Sequence, residues 1–440
     1  MTEGRQGAVP PLPRSVDVAI IGGGIIGVSA ALWLASRNVS VALLEKGRIA
    51  GEQSGRNWGW CRIAGRDLRE LPLMQRANLL WERMNQRVGG DTGYRNCGIV
   101  YASKNEQKRE RHARWIAATA GMGIEARMLE PREVAERFPG LVRPALGGLF
   151  LQGDGRAEPG LAAPLIATAA RAKGAVVIEN CAVRAIDVAG GRACGVITER
   201  GAIRAASVIV AGGAWSRLLL KGVGVTLPQL KVLSSACRTV PLDIDLGSCL
   251  SFSDFAVRKR LDGGYTIASS ASSVVQIVPD TLRFFRQFLP AFLKERHGMK
   301  LRIGGAFLDE ALNWRAGEAE KRSIYELVRV LDPTPDGVAL DQVRQAIGAA
   351  IPAFANVKIS QSWAGMIDTT PDAIPVISQV DEVPGLIVGT GFSGHGFGVG
   401  PAAGEMLADL ATGARPLCDP QPFRLSRFAE PGGVQLQSWL

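Results

Sequence analysis

At 440 residues the chain has room for two or three domains and a large core. Charged residues make up 21% and hydrophobic ones 47%, which excludes a disordered or fibrous chain. The net charge of +10 is scattered apart from the mixed-sign run at residues 104–114, a solvated helix face, so nothing points to nucleic acid. The charge supports no more than a mild preference for anionic substrates or surfaces. Seven cysteines without a CxxC pair, and three histidines, offer no metal spacing. They read as free thiols in a reducing cytosol. No apolar run approaches about 18 residues and the N-terminus lacks a hydrophobic leader core, so neither a transmembrane helix nor a signal peptide is expected.

Residues 1–14 are rich in Pro and Gly and read as a flexible tail. Residues 16–21 are apolar and largely β-branched, as a buried parallel strand is. Gly22-x-Gly24-x-x-Gly27 follows at once. Residues 25–36 carry helix formers with apolar spacing, and 39–44 form a second β-branched run. This is a βαβ unit of about 30 residues, the context that gives a GxGxxG its meaning. The first glycine permits a tight turn, and the second lets backbone approach a pyrophosphate. The third lets helix and strand pack closely, with the phosphates on the helix N-terminus. Glu45 ends the second strand about 20 residues on, where a carboxylate accepts from ribose hydroxyls.

Residues 54–62, SGRNWGWCR, lack periodicity and read as a loop or short helix start. Helices are expected at 71–87, 104–120, 130–138 and 158–172, and strands at 98–102, 147–155, 176–179, 183–188, 193–198 and 203–210. The last strand ends in Gly212-Gly213, a second place where backbone comes close to a ligand. From 226 to 360 the βα rhythm is lost. A strand at 265–268 and charged helices at 321–331 and 340–350 suggest a second, substrate-covering domain. Residues 279–299 are aromatic and basic around Pro290: a broken core-facing helix, or a membrane-leaning patch. Glycine chemistry returns with a strand at 386–389, the run Gly391–Gly398, and a helix at 401–411 closed by Gly413. This second glycine-led helix N-terminus faces an anion.

Four stretches together resemble the FAD-dependent oxidoreductases of the D-amino acid oxidase superfamily, which includes glycine and sarcosine oxidases. They are VAIIGGGIIGVSAALWLA…LLEK, VIVAGGAWS, WAGMIDTTPDAIPVIS and GTGFSGHGFGVGPAAGEMLADL. The resemblance spans nearly the whole chain. It implies an α/β plus α+β architecture. An FAD-binding, Rossmann-like domain of the glutathione-reductase type would be built from residues 15–90, 150–225 and 361–440. A substrate domain with a large mixed β-sheet would come from 91–149 and 226–360. The implied reaction is oxidation of an amino acid or related amine, a D-amino acid or N-substituted amino acid, by hydride transfer from the α-carbon to flavin N5. The imine hydrolyses to a keto acid and ammonia or an amine. A small-molecule substrate and oxygen or another electron acceptor are the implied partners.

By position, the resemblance places Gly22, Gly24, Ile25, Ile26 and Gly27 at the pyrophosphate, and Glu45 and Lys46 at the adenosine end. Ser54 and Gly55 fall where the family loop passes the flavin. Val183 matches the valine facing adenine, and Gly212 and Trp215 match the second strand's turn. Gly394, His395, Gly396, Phe397 and Gly398 match the helix N-terminus at the flavin's pyrimidine edge. Gly365 stands where sarcosine oxidases attach flavin through a cysteine, which implies noncovalent FAD. Two departures stand out. Gly398 replaces a family lysine, and Ile367 an arginine of D-amino acid dehydrogenases. A substrate carboxylate then needs another cation, and Arg62 is the first choice, with Arg56, Arg258 and Arg260 behind it. The missing lysine and arginine also motivate the alternative of a non-catalytic flavin-binding subunit or electron-transfer partner. His395 is either a catalytic or substrate-facing group, since an imidazole can act as a base near neutral pH, or a spacer whose backbone matters. Tyr265 either points into the site or packs. Trp58, Trp60 and Met366 line an apolar pocket or belong to ordinary core. The expected location is cytoplasmic, with the inner face of a membrane as the alternative.

Overall fold

The computed structural model describes residues 11–269, 273–295, 298–430, 432 and 434–436. Most of the N-terminal tail therefore lies outside the described residues. Two large sheets organise the chain, as expected for an α/β plus α+β protein. The first has eight strands. Ser15–Ile21 is central, with Gly201–Val210 parallel on one side and Val41–Leu44 parallel on the other. Val176–Ile178 extends it in parallel. Leu386–Thr390 joins Gly201–Val210 in parallel, so a strand 360 residues away completes the nucleotide-binding layer. All seven residues from Val18 to Gly24, apart from Gly22 and Gly24, are buried. This is why the first strand reads as a continuous apolar run rather than an alternating one.

Helix Ile25–Ser36 lies against the last long helix, Gly396–Thr412. Glycines set their separation. A Cβ on Gly404 would lie 2.4 Å from Ser29 Cβ, and one on Gly400 would lie 2.6 Å from Ile25 Cγ1. The last helix starts five residues earlier than expected, because these glycines serve packing and not turning.

The second sheet has ten strands and is mixed. Ile359–Thr369 pairs antiparallel with Leu230–Thr239, and Cys249–Ser251 pairs parallel with Ile99–Ala102. The division expected at residue 361 therefore falls inside a strand of the second sheet. Periodicity could not show this, because a strand that crosses between layers carries no composition change at the crossing. A three-stranded sheet of Trp60–Cys61, Gly155–Arg156 and Arg95–Asn96 stands apart from both.

The charged stretch expected as a helix at 321–331 forms one only at Ile324–Leu327. The chain then leaves helical geometry, and its carbonyls serve another element: Lys46 Nζ donates to Val328 O and Arg329 O at 2.8 and 3.1 Å. Within the stretch 279–299 the described residues form two helices, Pro279–Arg283 and Phe285–Glu295, and a strand begins at Met299. The helices break at Phe284, and Pro290 lies inside the second.

Candidate active site

A cleft with about 540 Å³ of space runs from the glycine turn after the first strand to the second sheet. At its first end Gly22 has φ +113°, and a Cβ there would meet Ala211 O at 2.4 Å. Gly24 caps helix Ile25–Ser36 without a side-chain hydrogen bond. Ser54 Oγ accepts from Ile25 N at 2.8 Å, leaving neighbouring N–H groups facing the cleft. Gly22, Gly24, Ile25, Ile26, Glu45, Lys46, Ser54, Val183, Gly212 and Trp215 all line this end. Gly27 and Gly55 do not. A Cβ on Gly27 would lie 2.0 Å from Gly22 O, and one on Gly55 2.3 Å from Ala50 O. Both shape the cradle from behind, so neither would touch a ligand.

Glu45 accepts from Gly23 N at 2.7 Å and Gly47 N at 2.8 Å. Its carboxyl faces the cleft and not bulk water, and burial pushes it up to about 7 despite those bonds. Lys46 is held by Glu52 at 2.6 Å and lies 4.4 Å over the Trp215 ring. Trp215 Nε1 in turn donates to Glu52, and its ring stacks on Trp314 at 4.4 Å. Lys46 and Trp215 are thus locked into the cleft wall before any ligand arrives.

The other end is built by two loops and the N-terminus of helix Gly396–Thr412. Gly365, Ile367, Gly394, His395, Gly396, Phe397, Gly398, Arg62 and the weighed residues Arg56, Trp58 and Trp60 line it. Gly398 sits against the Trp60–Cys61 strand, where a Cβ would meet Trp60 O at 3.0 Å. No lysine side chain fits there, which accounts for that departure. A Cβ on Gly365 meets only the Arg56 side chain, with Cβ at 3.6 Å and Cδ at 3.9 Å, so this position has room. The Thr-Pro-Asp stretch positions this loop. Asp368 accepts from Gly391 N at 2.7 Å, and Asp372 is bound by the buried Arg427 at 2.9 Å.

Five residues weighed from the sequence prove to be core or already engaged. Tyr265 lies in the core of the second domain, its hydroxyl donating to Ile244 O at 2.7 Å and its ring edge-on to Phe354. Strand Tyr265–Ala268 is buried on both faces, so alternation could not tell which face meets the cleft. Arg258 is not a free cation. It is paired with Glu158 at 2.8 Å, donates to Trp58 O, and so backs the loop; Arg260 joins the same carboxylate at 3.6 Å. Met366 packs against Leu233, Val274 and Ala364. Arg56, though in the cleft wall, is engaged with Asp332 at 2.7 Å and Ala364 O at 3.0 Å.

Arg62 Nη1 donates to Ala64 O at 2.6 Å, and the guanidinium lies 5.6 Å from the Tyr101 ring. It has no carboxylate partner among the described residues. Beside it stands a residue the sequence did not single out, Arg66. It lines the cleft, is 9% exposed, and its Nε has no hydrogen-bond partner among the described residues. Its backbone is fixed on both sides: Arg66 N donates to Ile63 O at 3.2 Å, and Trp115 Nε1 donates to Arg66 O at 3.0 Å. Asp154 holds the same turn, accepting from Ile63 N at 2.7 Å. A buried guanidinium Nε without an acceptor is costly, and an anion in the cleft would satisfy it.

His395 Nε2 and Glu70 Oε1 are 2.6 Å apart, both buried. Burial, reinforced by the Arg66 charge, pushes the imidazole below its ordinary range. Burial alone would raise the Glu70 carboxyl, but the His395 ring and the Arg66 and Arg62 guanidinium groups hold it below its ordinary value. The pair is therefore a neutral imidazole donating from Nε2 to an ionised carboxylate. Glu70 was missed because it lies 325 residues from its partner.

The chain matches the sequence profile of the DAO family, described as FAD dependent oxidoreductase, over residues 17–410. L-Amino acid deaminase from Proteus myxofaciens, solved with anthranilate, is 33% identical, with 96% of each chain covered and a TM-score of 0.91. Sarcosine oxidase subunit beta of Rhodobacter capsulatus is 25% identical over 431 residues, covering 96% of this chain and 91% of that one. Human mitochondrial sarcosine dehydrogenase is 25% identical over 435 residues, and this chain spans 42% of its length. The glycine cradle, the acid after the second strand and the glycine-led second helix fit FAD, and the chain belongs to the DAO family of FAD-dependent oxidoreductases.

Proposed function

We propose that the protein oxidises the carbon–nitrogen bond of an L-α-amino acid, with oxygen or a separate electron acceptor as second substrate. The observation that carries this is the buried Arg66, whose Nε has no hydrogen-bond partner among the described residues, beside Arg62 in the same cleft as the glycine cradle. The L-configuration is supported by the likeness to a protein named L-amino acid deaminase. FAD, when bound, would supply the hydride acceptor for oxidation of the substrate's nitrogen-bearing carbon.

The chain's own residues bind and orient. Gly22, Gly24 and the first turn of helix Ile25–Ser36 would hold the pyrophosphate, and Glu45 the ribose hydroxyls. The free N–H groups of Gly396, Phe397 and Gly398 present a helix's positive end, which favours negative charge at the flavin ring. Arg66 and Arg62 clamp the substrate carboxylate. Trp60, Tyr101, Ile367 and Phe397 supply apolar walls that exclude water. The neutral His395 adds no positive charge beside the substrate's nitrogen, and Glu70 fixes its ring. Incubating the purified protein with L-, D- and N-methyl amino acids and assaying keto acid tests the reading. Keto acid is expected from L-amino acids. Its absence throughout the panel overturns the reading.

FAD is held without a covalent bond in this proposal, since Gly365 offers no attachment atom. Acid precipitation of the chain should leave all the flavin in solution. Binding should also depend on pH. Ribose hydroxyls donate to the ionised Glu45, so FAD lowers a carboxyl that burial holds at about 7 in the free protein, and a proton leaves on binding. Affinity therefore rises as pH increases toward about 7 and levels off above it. Fluorescence titration at a series of pH values checks this, and Glu45→Gln should flatten the profile.

No helix among the described residues is long and apolar enough to cross a membrane. Helices Pro279–Arg283 and Phe285–Glu295 nevertheless expose Leu282, Phe285 and Leu293, each more than half accessible, beside the exposed Arg283 and Arg286. We propose that this face rests on an anionic membrane surface. Cosedimentation with anionic vesicles, reduced by Phe285→Asp and absent with neutral vesicles, is the expected result. No binding to anionic vesicles removes the idea.

A further inference from the structure

The thiols of Cys97 and Cys249 are 3.8 Å apart, although 152 residues separate them in the chain. All seven cysteines are free, and this is the one thiol pair in contact among the described residues. The backbones are already joined. Cys249 N donates to Gly98 O at 3.1 Å, and strand Cys249–Ser251 pairs in parallel with Ile99–Ala102. The two sulfurs differ in access. Cys97 is half-buried and lines a shallow surface hollow with Arg127, Glu133, Glu136, Arg137 and Ser248, away from the flavin cleft. Cys249 is fully buried behind it.

Their chemistry differs in the same sense. The hydrogen bond from Cys249, with the Arg156 charge beside it, brings the Cys97 thiol down to about 7. Burial pushes Cys249 well above its ordinary range and keeps it protonated. Arg156 Nη1 is itself buried with no hydrogen-bond partner among the described residues, so its charge is available to a thiolate. A partly exposed thiol, lowered by the Cys249 hydrogen bond and a neighbouring arginine, in front of a buried thiol is the arrangement of an attacking and a resolving cysteine.

We propose that Cys97 and Cys249 form a peroxide-sensitive modification site that closes to a reversible disulfide. In the first step Cys97 thiolate attacks a peroxide oxygen. The S–O bond forms, the O–O bond breaks, and hydroxide leaves, giving Cys97 sulfenic acid. In the second step the Cys249 sulfur attacks the sulfenic sulfur. The S–S bond forms, the S–O bond breaks, and the Cys249 proton ends in water. Overall two thiols and one hydrogen peroxide give one disulfide and two waters. The sulfurs close from 3.8 Å to about 2.05 Å, which requires small side-chain rotations since the backbones are already hydrogen-bonded. The bond would tie the start of strand Cys249–Ser251 to the residues just before strand Ile99–Ala102, and the paired Ser251 and Tyr101 of these strands form part of the flavin cleft's wall.

The test treats the purified full chain with hydrogen peroxide, counts thiols after denaturation, and maps peptides without reductant. The thiol count is expected to fall by two, with a single cross-linked peptide pair carrying Cys97 and Cys249, and to recover fully with dithiothreitol. Cys97→Ser should lose no thiol under the same treatment. Cys249→Ser should accumulate a dimedone-reactive sulfenic acid at Cys97, which shows attack without resolution. An unchanged thiol count, a cross-link between other cysteines, or a wild-type Cys97 that stops at sulfenic acid would each overturn the proposal.

Discussion

Arg66→Ala weakens binding of a carboxylate-bearing substrate or inhibitor by roughly 100-fold while leaving FAD in place. Removing one partner of a buried ion pair costs about 3 kcal/mol or more, because the other charge is left desolvated and unpaired. At 1.4 kcal/mol per decade this is about two decades. Arg66 sits away from the glycine cradle, and its backbone is held by Ile63 and Trp115, so the substitution removes a charge without removing a support. Arg62→Ala is expected to cost less. Its guanidinium already has a carbonyl acceptor and a ring face, and it is more exposed than Arg66. Arg66→Lys should recover part of the loss, since charge returns but the fork does not. Titration with an aromatic carboxylate such as anthranilate, read from the flavin spectrum, measures this directly. Equal affinity in wild type and Arg66→Ala would place the anion elsewhere.

Gly27→Ala should yield a protein without flavin. The added methyl would lie 2.0 Å from Gly22 O, a backbone atom that cannot swing aside. Either the helix moves off the strand or the turn opens. Both displace the N–H groups at the helix start, and overpacking of this kind costs about 1–3 kcal/mol in stability besides. Gly365→Ala is the matched control. It also lines the cleft, yet its new methyl would meet only the Arg56 side chain, with Cβ at 3.6 Å and Cδ at 3.9 Å. It should retain FAD. The visible spectrum of the two purified variants is the readout. A fully flavinated Gly27→Ala would show that the cradle tolerates what its geometry forbids.

The first half of the site was legible because it is local. Glycines, strand, helix and Glu45 lie within one 31-residue span, and each residue's role follows from its distance to the turn. The Gly391–Gly398 run was legible as a second anion-facing helix start for the same reason. What could not be read is tertiary. Arg66 and Glu70 lie in an irregular stretch after SGRNWGWCR, where no period marks a face. Glu70 matters because His395 meets it across 325 residues, and Arg66 because its buried Nε finds no hydrogen-bond partner among the described residues. The arginines weighed as anchors failed on partners and not on residue type. Arg258 and Arg260 share Glu158, and Arg56 has Asp332. Composition gives the number of cations but not which of them is already neutralised. Tyr265 failed on a different point, because a strand buried on both faces gives no sign of which side holds the cofactor.

The central claim is that this chain passes electrons from an amino acid's carbon–nitrogen bond to its flavin. Adding L-amino acids to the purified FAD-loaded protein without oxygen tests it in one step. The account predicts loss of the visible flavin band with at least one L-amino acid, and its return when oxygen or another acceptor is admitted. A band unchanged by every L-, D- and N-methyl amino acid, in a protein that holds FAD, would contradict it.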